Sequence, residues 1–168
     1  MGSRGRRTLA IVLLATAPGC GVQNLNFVQD QRLEIVEPSD REVVTEPITI
    51  RWTIRNFEVT GPDAADRTDA GYFGVFVDRA PQPPGRDLAW LVRDDQRCRR
   101  TPGCPDEAFL AQRNIHGTSD TSLVLESLPH LADEDRRDVH EVTIVLLNGR
   151  GQRIGETAAT VEFEVERP

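Results

Sequence analysis

Several groups in the 168-residue chain have residue types that chemistry requires. Ser119-Asp120 beside His116 offers the parts of a nucleophile with its base. However, Gly117-Thr118-Ser119-Asp120-Thr121 has turn composition, in which Ser and Asp bond their own backbone, and no Gly-x-Ser-x-Gly elbow occurs. His116, His130 and His140 stand at unrelated spacings, so no tetrahedral or facial metal site is expected. His140, near a strand start, reads as a plain, partly buried residue. Asp63, Asp66 and Asp69 gather in one segment, and Asp133, Glu134, Asp135 and Asp138 in another. Calcium favours such oxygens, yet neither segment has the alternate spacing and central glycine of a helical calcium loop, which leaves solvated turn charge as the expectation. Glu162, Glu164 and Glu166 recur at every second residue, the period of a strand's wet face. No apolar cleft is apparent that would raise one of their pKa values for glycoside chemistry. The chain is therefore expected not to be an enzyme, with no catalytic residue, no metal and no cofactor.

The N-terminus has the pattern of a targeting segment. Arg4, Arg6 and Arg7 precede the apolar run Leu9–Ala17, which falls well short of the roughly 20 residues of a membrane span. The run ends in Ala17-Pro18-Gly19-Cys20, which resembles the lipobox of bacterial lipoproteins. In that family a peptidase cuts before the cysteine, which receives diacylglycerol. The resemblance implies a signal peptide over 1–19, lipidation of Cys20, contact with a membrane through the lipid anchor, and an extracytoplasmic location. Residues 20–31 then read as a tether, polar and without periodicity. About 11 extended residues reach no more than roughly 35–40 Å, which would keep the domain near its membrane.

Loss of residues 1–19 would leave 17 arginines against 27 acids, a net charge near −10, and the sequence has no lysine. Such a surface repels phosphate backbones, so nucleic acid is not an expected partner. The remaining length suits one domain, 32–168. Apart from Cys20 there are two cysteines, Cys98 and Cys104, and an even pair in an exported chain favours a local disulfide over a reactive thiolate.

Strand patterns account for most of that domain. Leu33 and Ile35 share a face, and Ile48, Ile50, Trp52 and Ile54 alternate with Thr49, Arg51, Thr53 and Arg55. This alternation predicts Trp52 to be in the core. Tyr72–Val77 and Val142–Leu147 are apolar on both faces and read as interior strands, Val161–Val165 as half-buried, and Ser122–Leu125 as a short strand. Asn148-Gly149 between two such runs signals a hairpin with a type I′ turn. About seven short strands with little helix predict an all-β, antiparallel two-sheet sandwich.

The exception is an insertion over 79–121, opened by Ala80-Pro81-Gln82-Pro83-Pro84-Gly85, with short helices predicted at Asp87–Val92 and Asp106–Arg113. A connection this long is functional or disordered, and the disulfide with Leu88, Trp90, Leu91, Phe109 and Leu110 argues for order. Trp90 either pins the insertion to the sandwich or faces a ligand.

Glu37-Pro38-Ser39-Asp40 followed by Pro47-Ile48-Thr49-Ile50-Arg51-Trp52 resembles the immunoglobulin-like and fibronectin-III-like sandwiches of bacterial surface proteins. Such folds host adhesion, carbohydrate binding and spacing alike, so the fold alone implies no function. The expectation is a lipid-anchored module for protein interaction or structural support at the cell envelope, with an envelope protein as partner. Arg86, Trp90, Arg93, Arg97, Arg99 and Arg100 would form its recognition loop. Removing Arg86–Arg113 is then expected to spare the fold. A module for carbohydrate or calcium, or an accessory subunit of an envelope enzyme, is the alternative.

Overall fold

The structure, a computed structural model, describes residues 32–131 and 138–167. Cys20, the tether and Asp133, Glu134 and Asp135 lie outside the described residues. The strands are β1 (Leu33–Glu37), β2 (Glu42–Val44), β3 (Ile48–Ile54), β4 (Glu58–Val59), β5 (Ala70–Val77), β6 (Ile115–Thr118), β7 (Ser122–Leu125), β8 (Val139–Leu147) and β9 (Arg153–Val165). Between β5 and β6 come a 3-10 turn (Leu88–Val92) and the helices α1 (Gln96–Arg100) and α2 (Glu107–Ala111).

Three strands form one sheet in the order β1-β3-β7. Six form the other, in the order β2-β9-β8-β5-β4, with β6 also paired to β5. The sandwich-like pairing of the sheets follows from alternation. Ile48, Ile50 and Trp52 of β3 point inward and are buried, while the alternating Arg51 and Thr53 are exposed. Facing them are Phe73, Val75 and Val77 of β5, Val142, Ile144 and Leu146 of β8, and Val161, Phe163 and Val165 of β9. Trp52 meets Phe73 edge to face, with ring centroids 5.4 Å apart, so it is a core residue as its alternation predicts.

The two-faced apolar character of β5 and β8 has a second consequence. Tyr72 and Phe76 of β5 and Val145 and Leu147 of β8 project from the opposite face of the large sheet. There they pack with Ile115 of β6 and with Leu88, Leu91 and Leu110 from the segment between β5 and β6. The molecule thus has a second core, and the insertion is the layer that covers it.

Several details depart from the sequence reading. Among the described residues there are nine strands rather than about seven, because β2, β4 and β6 are only two to four residues long and too brief for periodicity to reveal. Pairing is not wholly antiparallel: β2 runs parallel to β9, and β4 parallel to β5. The insertion ends at Asn114 rather than at residue 121, since Ile115–Thr118 adds to the free edge of β5. His116 and Gly117 conceal that strand in the sequence.

The hairpin between β8 and β9 forms, but not with a type I′ turn. Asn148 N–H donates to Gln152 O (3.0 Å), Gly151 N–H donates to Asn148 O (2.8 Å), and the positive φ falls on Gly151 at 73°. This is a three-residue loop with a glycine bulge. Gly149 has another reason to be glycine: a Cβ there would lie 2.0 Å from the carbonyl oxygen of Ala64.

Candidate functional site

The insertion is built as a unit from its backbone caps. It leaves the sheet beside β9: Gln82, fully buried, donates through Nε2 to Gly151 O (3.3 Å), and Gly85 N–H donates to Arg153 O (2.8 Å). The Arg153 guanidinium reaches back to Gln82 O at 3.0 Å. Asp87 then caps the 3-10 turn by accepting from Trp90 N–H (3.0 Å). Asp95 caps α1, accepting from Arg97 N–H (2.9 Å) and Cys98 N–H (3.0 Å), and Asp106 caps α2 through Phe109 N–H (2.7 Å). α1 was not anticipated in the sequence; Asp95, as an N-cap just before Gln96, was the available signal. At its far end the segment is closed by Arg79 Nη1, which donates to Arg113 O at 2.7 Å.

Cys98 and Cys104 form the expected disulfide, joining the last turn of α1 to the approach of α2. Arg113 ties the same region together: it pairs with Asp95 at 2.7 Å and lies 3.5 Å over the Phe109 ring. The hydrogen bonds from Cys98 N–H, Arg97 N–H and Arg113 offset desolvation and hold the Asp95 carboxyl below its usual range.

The six residues of the expected recognition loop divide into two kinds. Trp90 is half-buried, with the Arg93 guanidinium 3.9 Å above its ring and Arg93 Nη1 donating to Trp90 O (2.8 Å). These two form a local clamp, and Arg93 is paired further with Asp94 at 3.5 Å. Arg86, Arg97, Arg99 and Arg100 are exposed, and among the described residues their side chains have no partner. Beside Arg97 a groove of 270 Å³ runs along Cys98, Thr101, Cys104, Asp106 and Phe109.

The remaining candidates are brought together differently from the sequence expectation. Ser119 Oγ donates to Thr60 O (2.9 Å), and Asp120 N–H donates to Thr118 Oγ1 (3.0 Å), which are turn bonds. Asp69 and Glu58 are both bonded to Arg67, while Asp66 contacts Asn148 and Arg150. Among the described residues no group of three His, Cys, Asp or Glu side chains is placed to hold a metal ion. Burial pushes the His116 pKa down, against the nearby charge of Glu107.

His140 corrects its sequence reading. It is not partly but fully buried, and a carboxylate lies beside each of its ring nitrogens. Its Nδ1 lies 2.7 Å from Asp78 Oδ2 and its Nε2 3.4 Å from Asp138 Oδ1, and its ring stacks on Phe163. Asp138, also buried, takes His130 Nδ1 (3.0 Å), Arg167 Nε (2.9 Å) and Leu131 N–H (2.9 Å). Arg167 continues to Glu46 at 3.4 Å. Two of the three histidines therefore do converge, on a carboxylate rather than on a metal-ligand geometry.

Burial opposes ionisation at both centres and is outweighed at both. At Asp138 the bonds from His130, Leu131 and Arg167 and the charge of His140 hold the carboxyl far below its ordinary range. At His140 the carboxylates of Asp78 and Asp138 raise the imidazole above its ordinary value. Buried and flanked by carboxylates, His140 makes this cluster a clasp. It joins the end of β5, the start of β8, residues 128–131 and the end of β9.

Compared with known proteins, the chain matches no family model, no curated protein and no solved structure. Fold and site together define a class all the same: a two-sheet, sandwich-like β-protein whose large sheet bears a disulfide-braced layer. Among the described residues no helix is long and apolar enough to cross a membrane.

Proposed function

We propose that the protein is a lipid-anchored, extracytoplasmic, immunoglobulin-like module for protein interaction or structural support at the cell envelope. The insertion between β5 and β6 is its contact surface, and Cys20 carries the anchor. One observation carries this reading: the insertion turns Leu88, Leu91 and Leu110 inward onto the large sheet and keeps Arg86, Arg97, Arg99 and Arg100 outward. A loop with that division is a supported platform rather than a slack connection, and binding residues concentrate on loops held by a rigid scaffold. Of the acids that the calcium alternative would use, Asp66 is engaged by Asn148 and Arg150 and Asp69 by Arg67, which speaks for the interaction reading.

Two measurements test the reading. Mass spectrometry of the mature protein from its native host is expected to find acyl chains on Cys20 and no free thiol at Cys98 or Cys104. A photo-crosslinker at the exposed Gln112 is expected to join one envelope protein, and one at exposed Val36, on the opposite sheet, to join none. An unacylated N-terminus removes the anchor; crosslinks equally frequent from Val36 and Gln112 remove the insertion as the contact surface.

A further inference from the structure

We infer that the partner of the insertion is an acidic protein segment, received by the guanidinium groups of Arg97, Arg99 and Arg100 with Arg86 alongside. The inference rests on the insertion being the contact surface, and adds the chemistry of what it contacts.

The distribution of arginine partners points to it. Outside the insertion, Arg41, Arg51, Arg55, Arg67, Arg150 and Arg167 are each paired with a carboxylate, and Arg153 is bonded to backbone carbonyls. Within it, Arg79 and Arg113 are engaged in closing the stem and Arg93 in covering Trp90. Among the described residues the arginines whose side chains have no partner are Arg86, Arg97, Arg99 and Arg100, all four of them in this one segment. The acids nearby do not balance them: Asp87, Asp95 and Asp106 cap turns, Asp94 pairs with Arg93, and with Glu107 these five carboxylates face the seven arginines of residues 79–114.

In a chain of net charge −7 this is a local cationic surface on an acidic body. Three guanidiniums on a five-residue helix complement the negative C-terminal end of that helix, but the dipole of so short an element does not consume three full charges. Guanidinium matches carboxylate geometry with two parallel hydrogen bonds, whereas ammonium does not, and the chain has no lysine at all. The groove between α1 and α2, with Phe109 along it, is of a size for a side chain rather than a flat surface. Together these favour an acidic polypeptide over a lipid headgroup.

The test uses the mature protein purified from its host in neutral detergent, titrated with a labelled decaglutamate peptide and with a decalysine control. Decaglutamate is expected to bind, decalysine not, with affinity falling as salt rises. Arg97→Ala, Arg99→Ala and Arg100→Ala together are expected to weaken binding roughly ten- to hundred-fold, three exposed ion pairs acting jointly. The melting temperature should not move, since these side chains contact nothing that holds the fold. Unchanged affinity in the triple variant overturns the arginine site. Arginine-dependent binding to vesicles of anionic phosphatidylglycerol, in preference to decaglutamate, overturns it in favour of a lipid surface. If the crosslinker at Gln112 captures its partner equally from wild type and triple variant, the contact surface stands and the acidic partner falls. Decaglutamate binding that needs these arginines, with no crosslink from Gln112, has the reverse meaning.

Discussion

Two carboxylates inside the protein raise the His140 imidazole above its ordinary value, and that fixes the sign of its contribution to stability. A histidine whose folded pKa is raised above the ordinary 6.5 stabilises the fold fully below that value. The contribution is lost as pH climbs through the raised folded value. Asp138 has the opposite sense: its carboxyl is depressed from 3.8, so its contribution is present above that value and is lost as pH falls through the folded one. The clasp is therefore complete between roughly pH 4 and 6.5 and weakens on either side. Facing it are Asp78 just past the end of β5, Asp138, His130, and Arg167, which Glu46 backs. Chemical denaturation at pH 5.5 and 9 should show lower stability at the higher pH, and His140→Gln should abolish most of that difference. At pH 5.5 the same substitution is expected to cost about 3 kcal/mol, because two buried carboxylates lose their shared counter-charge. Equal losses at both pH values would mean that His140 is neutral in the fold. The sequence placed His140 near a strand start but concealed its partners. Asp78 is 62 residues away and reaches it only because β5 and β8 are neighbours, which no local pattern encodes.

At the scale of elements, what was legible in the sequence followed length and period. β3, β5, β8 and β9 announce themselves by alternation or by two-faced apolar runs, and the disulfide by the even cysteine count. The short elements were not legible. β2 and β4 have three and two residues, and they exist because neighbouring strands offer free edges. The helices of the insertion were half legible: α2 lies within the segment started by Pro105 and Asp106, while α1 lay hidden in an arginine run. For those two helices the disulfide is the principal brace, as each is only five residues long and far below the length at which an isolated helix persists. Replacing Cys98 and Cys104 by serine should therefore cost roughly 2 kcal/mol, the chain-entropy value for so small a ring. The loss should be local. Amide exchange over residues 96–113 is expected to quicken markedly, and that of β8 to change little. Uniform acceleration throughout the sheets would show that the bridge supports the whole domain rather than this layer.

The whole molecule is three layers around one shared sheet. Phe73 and Phe76, three residues apart on β5, point into different cores: Phe73 meets Trp52 and the small sheet, and Phe76 meets Leu110 and Ile115. The insertion's packing argues that it is not separable from the fold, against the sequence expectation that its removal would be harmless. Replacing Arg86–Arg113 by a short glycine-serine link would uncover Tyr72, Phe76, Val145 and Leu147, each of them 5 % exposed or less. Burial of side chains of this size contributes about 1.5–3 kcal/mol apiece, and four of them approach the 5–15 kcal/mol that typically separates folded from unfolded states. The shortened protein is expected to melt far below the intact one, or to aggregate through the bared face of the large sheet. Thermal melting with an environment-sensitive dye checks this directly. If the shortened chain melts within a few degrees of the full one and binds no dye, the outer face of β5 and β8 does not depend on its cover. The arginines on that cover would then stand on a detachable loop, and single substitutions such as Leu110→Ala should be equally mild rather than costing about 2–5 kcal/mol. Agreement of the deletion and the point substitution, in either direction, is what makes the result specific to the third layer.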